Sequence, residues 1–234
     1  MTRVSVIYQY QCNPSGGQLN ALYRIFWYLK CELSRGKNPN VVRLMYDACQ
    51  TEVDDRLFPQ SAQDQWIGFY PDAEDFLPPK IPKPRVCSMK ISTYVDADHS
   101  SNRETRRYHT GILIYLNNSL IIWLSKRQNT VESLILRSEF VALRISTELM
   151  VSLRYKMRIF GVTIDVPADF FCGNQSVTNN TTLPQSVINN RQNSICYHIV
   201  RESQAAELII FGWIQVDYNQ ADLGTKTTLS TKRR

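Results

Sequence analysis

From Val131 to Phe160 the chain runs 30 residues without a glycine or proline, and the run stops at Gly161. Within it Leu134, Phe140, Leu143, Leu149, Leu153 and Met157 recur at near-helical spacing, which predicts one long amphipathic helix. A helix about 45 Å long, at ~1.5 Å per residue, can bury such a stripe only against a broad apolar surface. The sequence just upstream supplies one. Extended runs span Met89 to Val95, Thr110 to Leu116 and Leu120 to Leu124, and the last two are joined by Asn117-Asn118. Asparagine tolerates positive φ, so that pair predicts a tight hairpin.

Downstream of the helix come a short strand from Ala168 to Cys172 and a polar, Asn-rich segment. A helix around Ile195 to Leu208, a strand near Ile209 to Val216 and a short helix from about Ala221 follow. The order β β β α β α β α predicts an α/β fold: a five-stranded mixed sheet flanked by helices. Upstream, Leu19, Leu22, Tyr23, Phe26, Leu29 and Leu33 predict a helix over residues 15 to 34, opened by the capping pair Ser15 and Gln18. Between residues 54 and 85 periodicity is lost and six of the ten prolines gather beside the acids Asp72, Glu74 and Asp75, as in a surface linker. The expected division is an N-terminal helical segment over 1–53, a Pro-rich linker over 54–88, the sheet domain over 89–226 and a basic tail over 227–234.

With 234 residues, 43% hydrophobic and 21% charged, the chain can bury a real core, which argues against wholesale disorder. Its longest apolar stretches fall short of the ~18 to 20 residues that cross a bilayer, and the start lacks the pattern of a secretory signal. These features predict an intracellular protein, cytoplasmic or nuclear, with no membrane partner. The six cysteines form no CxxC pair and suit packed, reduced thiols. Lys and Arg number 27 against 21 Asp and Glu, a net charge of +6 that favours a polyanionic partner.

Chemistry on a mixed sheet tends to sit at strand ends, and the acids there are Asp96 and Asp98 after the first strand, Glu139 in the long helix and Asp222 opening the last one. Hard cations take such carboxylates, and hydrolysis of a phosphodiester by two metals uses three or four of them around ions ~3.5 to 4 Å apart. Taken singly, each acid reads first as a solvated surface group rather than a metal ligand.

Seven segments in order carry a resemblance: YVDADHS (Tyr94 to Ser100), HTGILIYLNN (His109 to Asn118), IIWLSKRQNTVES (Ile121 to Ser133), SEFVALR (Ser138 to Arg144), FCGNQSV (Phe171 to Val177), CYHIVRE (Cys196 to Glu202) and ADLGTK (Ala221 to Lys226). Together they resemble the ribonuclease H region of copia-type retrotransposon Pol polyproteins. RIFWYLK (Arg24 to Lys30) looks like the segment after the copia reverse transcriptase palm. The resemblance implies an RNase H-like fold that cleaves the RNA strand of an RNA/DNA hybrid with Mg²⁺ or Mn²⁺. It implies Asp96, Glu139 and Asp222 as catalytic metal ligands, with Asp96 touching both ions, Asp222 on the water-activating side and Glu139 on the leaving-group side. Where the family has a third acid in a Cys-Asp-Asn sequence, this chain reads Cys172-Gly173-Asn174, and where the family has a basic residue followed by histidine it reads Arg191-Gln192. Glycine brings no side-chain oxygen, so four carboxylates become three and hydrolysis is expected to be impaired.

Tyr94 to Asp98 is superficially similar to a reverse transcriptase motif, but a polymerase needs a palm and fingers for which residues 1–88 leave no room. Ser125, Lys126, Arg127, Asn174 and His198 are candidate nucleic-acid contacts, as are Trp123 and Gln128. His198 reads either as a histidine assisting product release or as a packed side chain. The sequons at Asn179 and Asn180 have meaning only in a secreted protein. Two functions of different class follow: a metal-dependent hybrid nuclease, and a non-catalytic nucleic-acid-binding remnant of the transposon.

Overall fold

The computed structural model describes residues 57–58, 64–75, 77, 79–86, 88–98, 108–129, 135–187 and 194–225. The helix expected over 15–34, the basic tail, Arg191 and Gln192 lie outside the described residues. Five strands form one sheet: β1 (Ile91–Asp98), β2 (His109–Leu116), β3 (Ser119–Arg127), β4 (Ala168–Cys172) and β5 (Ile209–Trp213). Their order is β3-β2-β1-β4-β5, with β1, β2 and β3 antiparallel and β4 and β5 parallel to β1. The expected five-stranded mixed sheet is therefore present. The hairpin forms as the asparagine pair predicts. Asn117 adopts φ 51°, its N–H donates to the Lys90 carbonyl (2.7 Å), and its side-chain oxygen accepts from the Lys90 N–H (2.9 Å).

Alternation divides β1 between two faces. Ile91, Val95 and Ala97 join Ile112, Ile114, Phe170 and Phe211 in the core, and α2 (Ile135–Ile159) covers them with Phe140, Leu143, Met150 and Leu153. Burial of each large side chain contributes about 1.5 to 3 kcal/mol. Ser146 sits in that buried stripe because its hydroxyl donates back to the Leu143 carbonyl (2.7 Å). The Asn-rich segment, read from sequence as irregular, contains α3 (Gln175–Thr182). Asn174 caps it, its side-chain oxygen accepting from the N–H groups of Ser176 (3.0 Å) and Val177 (3.4 Å), the local bond that lets a polar stretch start a helix. Next come α4 (Ser194–Ala205) and β5, which ends at Trp213 rather than near Val216.

The Pro-rich segment is more than a linker. Much of 71–86 is exposed, yet Phe58 and Trp66 are buried, the latter within the four-residue α1 (Asp64–Ile67). The Phe58 ring lies 5.6 Å from that of Phe171, and a Cβ on Gly212 would come within 2.9 Å of it, so glycine there is what admits the ring. Trp66, 1% exposed, stacks on Arg201, whose guanidinium stands 4.9 Å from that ring and 4.7 Å from Tyr197. Arg201 donates to the carbonyls of Asn180 (2.8 Å), Leu183 (2.9 Å) and Pro184 (2.5 Å), which is how a buried cation is tolerated. Farther along, Asp75 takes both terminal nitrogens of Arg158 (2.9 and 2.5 Å) and lies 3.4 Å from Arg154. Burial alone would raise the Asp75 carboxyl, but the two guanidiniums outweigh it and hold it below the usual carboxylate range. The segment is an anchored strap, and no periodicity marks it because each anchor is one residue.

Trp66→Ala is expected to cost about 3 to 5 kcal/mol, the range for emptying a buried aromatic site. The guanidinium chloride midpoint of the full chain measures it; an unchanged midpoint would mean that the strap contributes nothing.

Candidate functional site

Asp96 projects from the face of β1 opposite α2, and the row it belongs to can be read across the sheet: Asp96 pairs with Gly111, and Gly111 with Ser125. On the other side β1 and β4 run in parallel register as far as Val95 and Cys172. Gly173 follows at the bend just past that last pair. That face is capped by α5 (Asp222–Thr225), too short to hold itself together and fixed entirely by its contacts. Gly111 makes room for it. A Cβ at Gly111 would meet the Ala221 carbonyl at 2.6 Å and the Thr225 methyl at 2.8 Å, and one at Gly224 would meet the Gly111 Cα at 3.1 Å.

Polar ties complete the docking. The Asn219 side-chain amide donates to the Val95 carbonyl (2.9 Å) while its oxygen accepts from the Ala221 N–H (3.1 Å). Tyr115 donates to Gln220 (2.6 Å), and Ser125 to the Gly224 carbonyl (2.5 Å). The Thr225 hydroxyl donates to Asp96 Oδ2. Asp222 is thereby buried on the face that carries Asp96. Glu139, also buried, reaches β4 from the α2 side, where the Cys172 thiol donates to its Oε2 across 3.9 Å. Burial pushes the Cys172 thiol well up, and the charges of Glu139 and then Asp96 push it further, so Cys172 stays a neutral donor between two carboxylates.

The donor set is right in kind for a hard cation. Among the described residues no three of the His, Cys, Asp and Glu side chains already stand together as a group. Cys172 donates to Glu139 and feels the charge of Asp96, while Thr225, which donates to Asp96, has its hydroxyl 3.5 Å from the backbone carbonyl of Asp222. Asp169, on β4, is held by Lys90 (2.9 Å).

The remaining sequence candidates fall out differently. Ser125 is committed to α5 and so is a structural tie. Lys126 pairs with Thr110 on the α2 face, away from Asp96, whereas Arg127 pairs with His109 on the Asp96 face. Asn174 spends its oxygen on the α3 cap. His198 is exposed on α4, and its Nδ1 lies 2.7 Å from Tyr70 Oη of the strap. Cys172 and Cys196 are buried free thiols, as expected for packed cysteines. Thr225 and Gly111 were missed as site residues although both lie inside the quoted segments; a hydroxyl and a missing Cβ announce nothing until the helix is seen to dock on them. A cleft of about 570 Å³, lined by Glu148, Val151, Tyr155, Ile199 and Glu202 between α2 and α4, belongs to neither cluster of carboxylates.

The sheet order, with three antiparallel strands followed by two parallel ones and α2 across one face, decides the architecture. The fold is RNase H-like. No protein-family model matches the chain. A secreted RxLR effector of Plasmopara viticola is 35% identical over 74 residues, 32% of this chain and 52% of that protein, so the chain spans about half the length of that relative. Among solved structures, the N-terminal RNase H domain of a Mycobacterium tuberculosis protein aligns over 59% of this chain and 91% of its own, with 12% identity and a TM-score of 0.46. LC11 RNase H1 in complex with an RNA/DNA hybrid aligns over 56% and 89%, with 15% identity and a TM-score of 0.45. A foamy viral protease-reverse transcriptase in complex with an RNA/DNA hybrid aligns over 91% of this chain and 26% of its own, with 14% identity and a TM-score of 0.41. At these identities the likeness is one of fold. No described helix of this RNase H-like chain is long and apolar enough to cross a membrane.

Two outcomes follow from the docking of α5. Gly111→Ala forces a Cβ against backbone and is expected to cost about 1 to 3 kcal/mol, as overpacking does, read as a lowered urea midpoint. The second concerns His109, whose Nε2 lies 3.1 Å from Ser125 Oγ. Because the Ser125 proton goes to Gly224, the serine oxygen accepts from His109. Burial first, and the Arg127 charge second, lower the His109 value. A histidine whose folded value lies below its unfolded one favours the fold when neutral; that contribution is complete above about pH 6.5 and is lost as pH falls through the folded value. The thermal midpoint should drop between about pH 7 and about pH 5, and less so in His109→Gln.

Proposed function

We propose that the chain is the RNase H-like region of a copia-type retrotransposon polyprotein, that it engages RNA/DNA hybrids, and that its cleavage of the RNA strand is impaired. In this reading Asp96, Glu139 and Asp222 are its remaining catalytic carboxylates, with Mg²⁺ or Mn²⁺ as the cofactor. The observation that supports the reading is the position of Gly173: it follows the last residue of β4, whose partner Val95 precedes Asp96, and it has no side-chain oxygen. An aspartate would fit. A Cβ at Gly173 meets Val216 at 3.5 Å and the Asn219 amide at 3.6 Å, ordinary contact distances. The net charge of +6 supports a polyanionic partner. The choice of a hybrid over other polyanions follows the resemblance of the seven segments to the copia-type ribonuclease H region.

The test is cleavage of a labelled hybrid with Mg²⁺ or Mn²⁺, comparing the unmodified chain with Gly173→Asp. Loss of one electrostatic stabiliser typically costs ~10² to 10³ in rate, and Gly173→Asp should return a gain of that order. Equal, full activity in both would overturn the impairment. Inactivity in both, with salt-sensitive binding retained, would leave a nucleic-acid-binding module.

A further inference from the structure

One row of side chains crosses the face opposite α2 in register: Gly212 on β5, Phe171 on β4, Tyr94 on β1, Leu113 on β2 and Trp123 on β3. From the strap outward the row is packed. Phe58 lies 5.6 Å from Phe171, Phe171 stacks on Tyr94 at 4.9 Å, and Leu113 is buried. It ends at the sheet edge on Trp123, which is 52% exposed. The next row on this face holds Asp96, Gly111 and Ser125, and the one after it Asp98, His109 and Arg127. Steps of two residues along a strand are about 6.8 Å, so β3 offers this face an exposed indole and, ~14 Å on, a guanidinium, with the α5-bound Ser125 between them.

We propose that Trp123 and Arg127 form the contact for a nucleic-acid strand passing Asp96, the indole packing on a base or sugar and the guanidinium taking a phosphate. The proposal rests on the hybrid-binding function above and adds which edge of the sheet meets the substrate. Charge and shape select the occupant. An aromatic platform set beside a cation, on a chain of net charge +6, matches the alternation of π-faces and phosphates along a strand, whereas a protein partner would call for a wider apolar patch than one indole. The same register removes Lys126 from this role, because it stands on the other face.

The test uses the full chain and a short fluorescein-labelled RNA/DNA hybrid, followed by anisotropy at low salt without divalent metal. Trp123→Ala should weaken binding ~5- to 150-fold, with Trp123→Phe retaining most of the affinity, and Arg127→Gln should reduce the salt slope by about one. Phe160→Ala, removing another exposed aromatic at the far end of α2, should change nothing. Trp123 is half in solvent, so the thermal midpoint of each variant is expected to stay near that of the parent and confirms the fold. Unchanged affinity in Trp123→Ala overturns the proposal while the function stands. An equal loss in Phe160→Ala overturns it as well, as does a Trp123→Ala variant that loses only self-association through the β3 edge. Failure of the unmodified chain to bind hybrid at low salt overturns the function and this contact with it.

Discussion

The double pairing of β1 is the constraint on which the rest depends. Being hydrogen-bonded to β2 on one side and β4 on the other, it can neither slip nor turn, since a one-residue shift would carry its apolar residues from the core to the opposite face. The same lock fixes Asp96 one residue beyond Val95, whose partner Cys172 ends β4. A glycine at the next position brings no side-chain oxygen, and a Cβ there would meet Val216 and Asn219 at ordinary contact distances.

Around that strand the site is assembled from weak parts. A four-residue helix has no stability of its own, and Asp222 is placed only because α5 is wedged against β2 by the Gly111 and Gly224 contact and pinned by Asn219, Ser125 and Thr225. Each of those groups lies on a different element, so the carboxylate geometry is a readout of how well the whole sheet is formed. Glu139 has a separate foundation, the 25-residue α2, and meets the others only through the end of β4.

The sheet and α2 were legible because long periodic segments and an Asn-Asn turn are strong local signals. Asn117 at φ 51° is the turn chemistry read directly. Helix α3 was not legible, since eight residues rich in Asn and Thr have low helix propensity and form a helix here through the Asn174 cap and buried contacts. The strap was misread for a related reason: prolines and lost periodicity describe its backbone accurately, but Trp66 and Phe58 are single anchors whose partners lie far along the chain. At the site, the identities of Asp96, Glu139 and Asp222 came from resemblance, while Thr225, Gly111 and the turning of Lys126 away from Asp96 required register, which sequence spacing alone does not supply.

The strap also sets an order of events. Tyr70 meets His198 across 128 residues of sequence, and Trp66 meets Arg201 across a comparable span, so these closures carry a large loop entropy and gain nothing until α3 and α4 exist. During synthesis the strap emerges early and waits. Until Arg201 has left the ribosome, Trp66 and Phe58 are exposed aromatics next to whatever precedes them in the chain, and only the finished sheet withdraws them. The strap thus closes late, when Arg201, already held by the carbonyls of Asn180, Leu183 and Pro184, becomes available to Trp66.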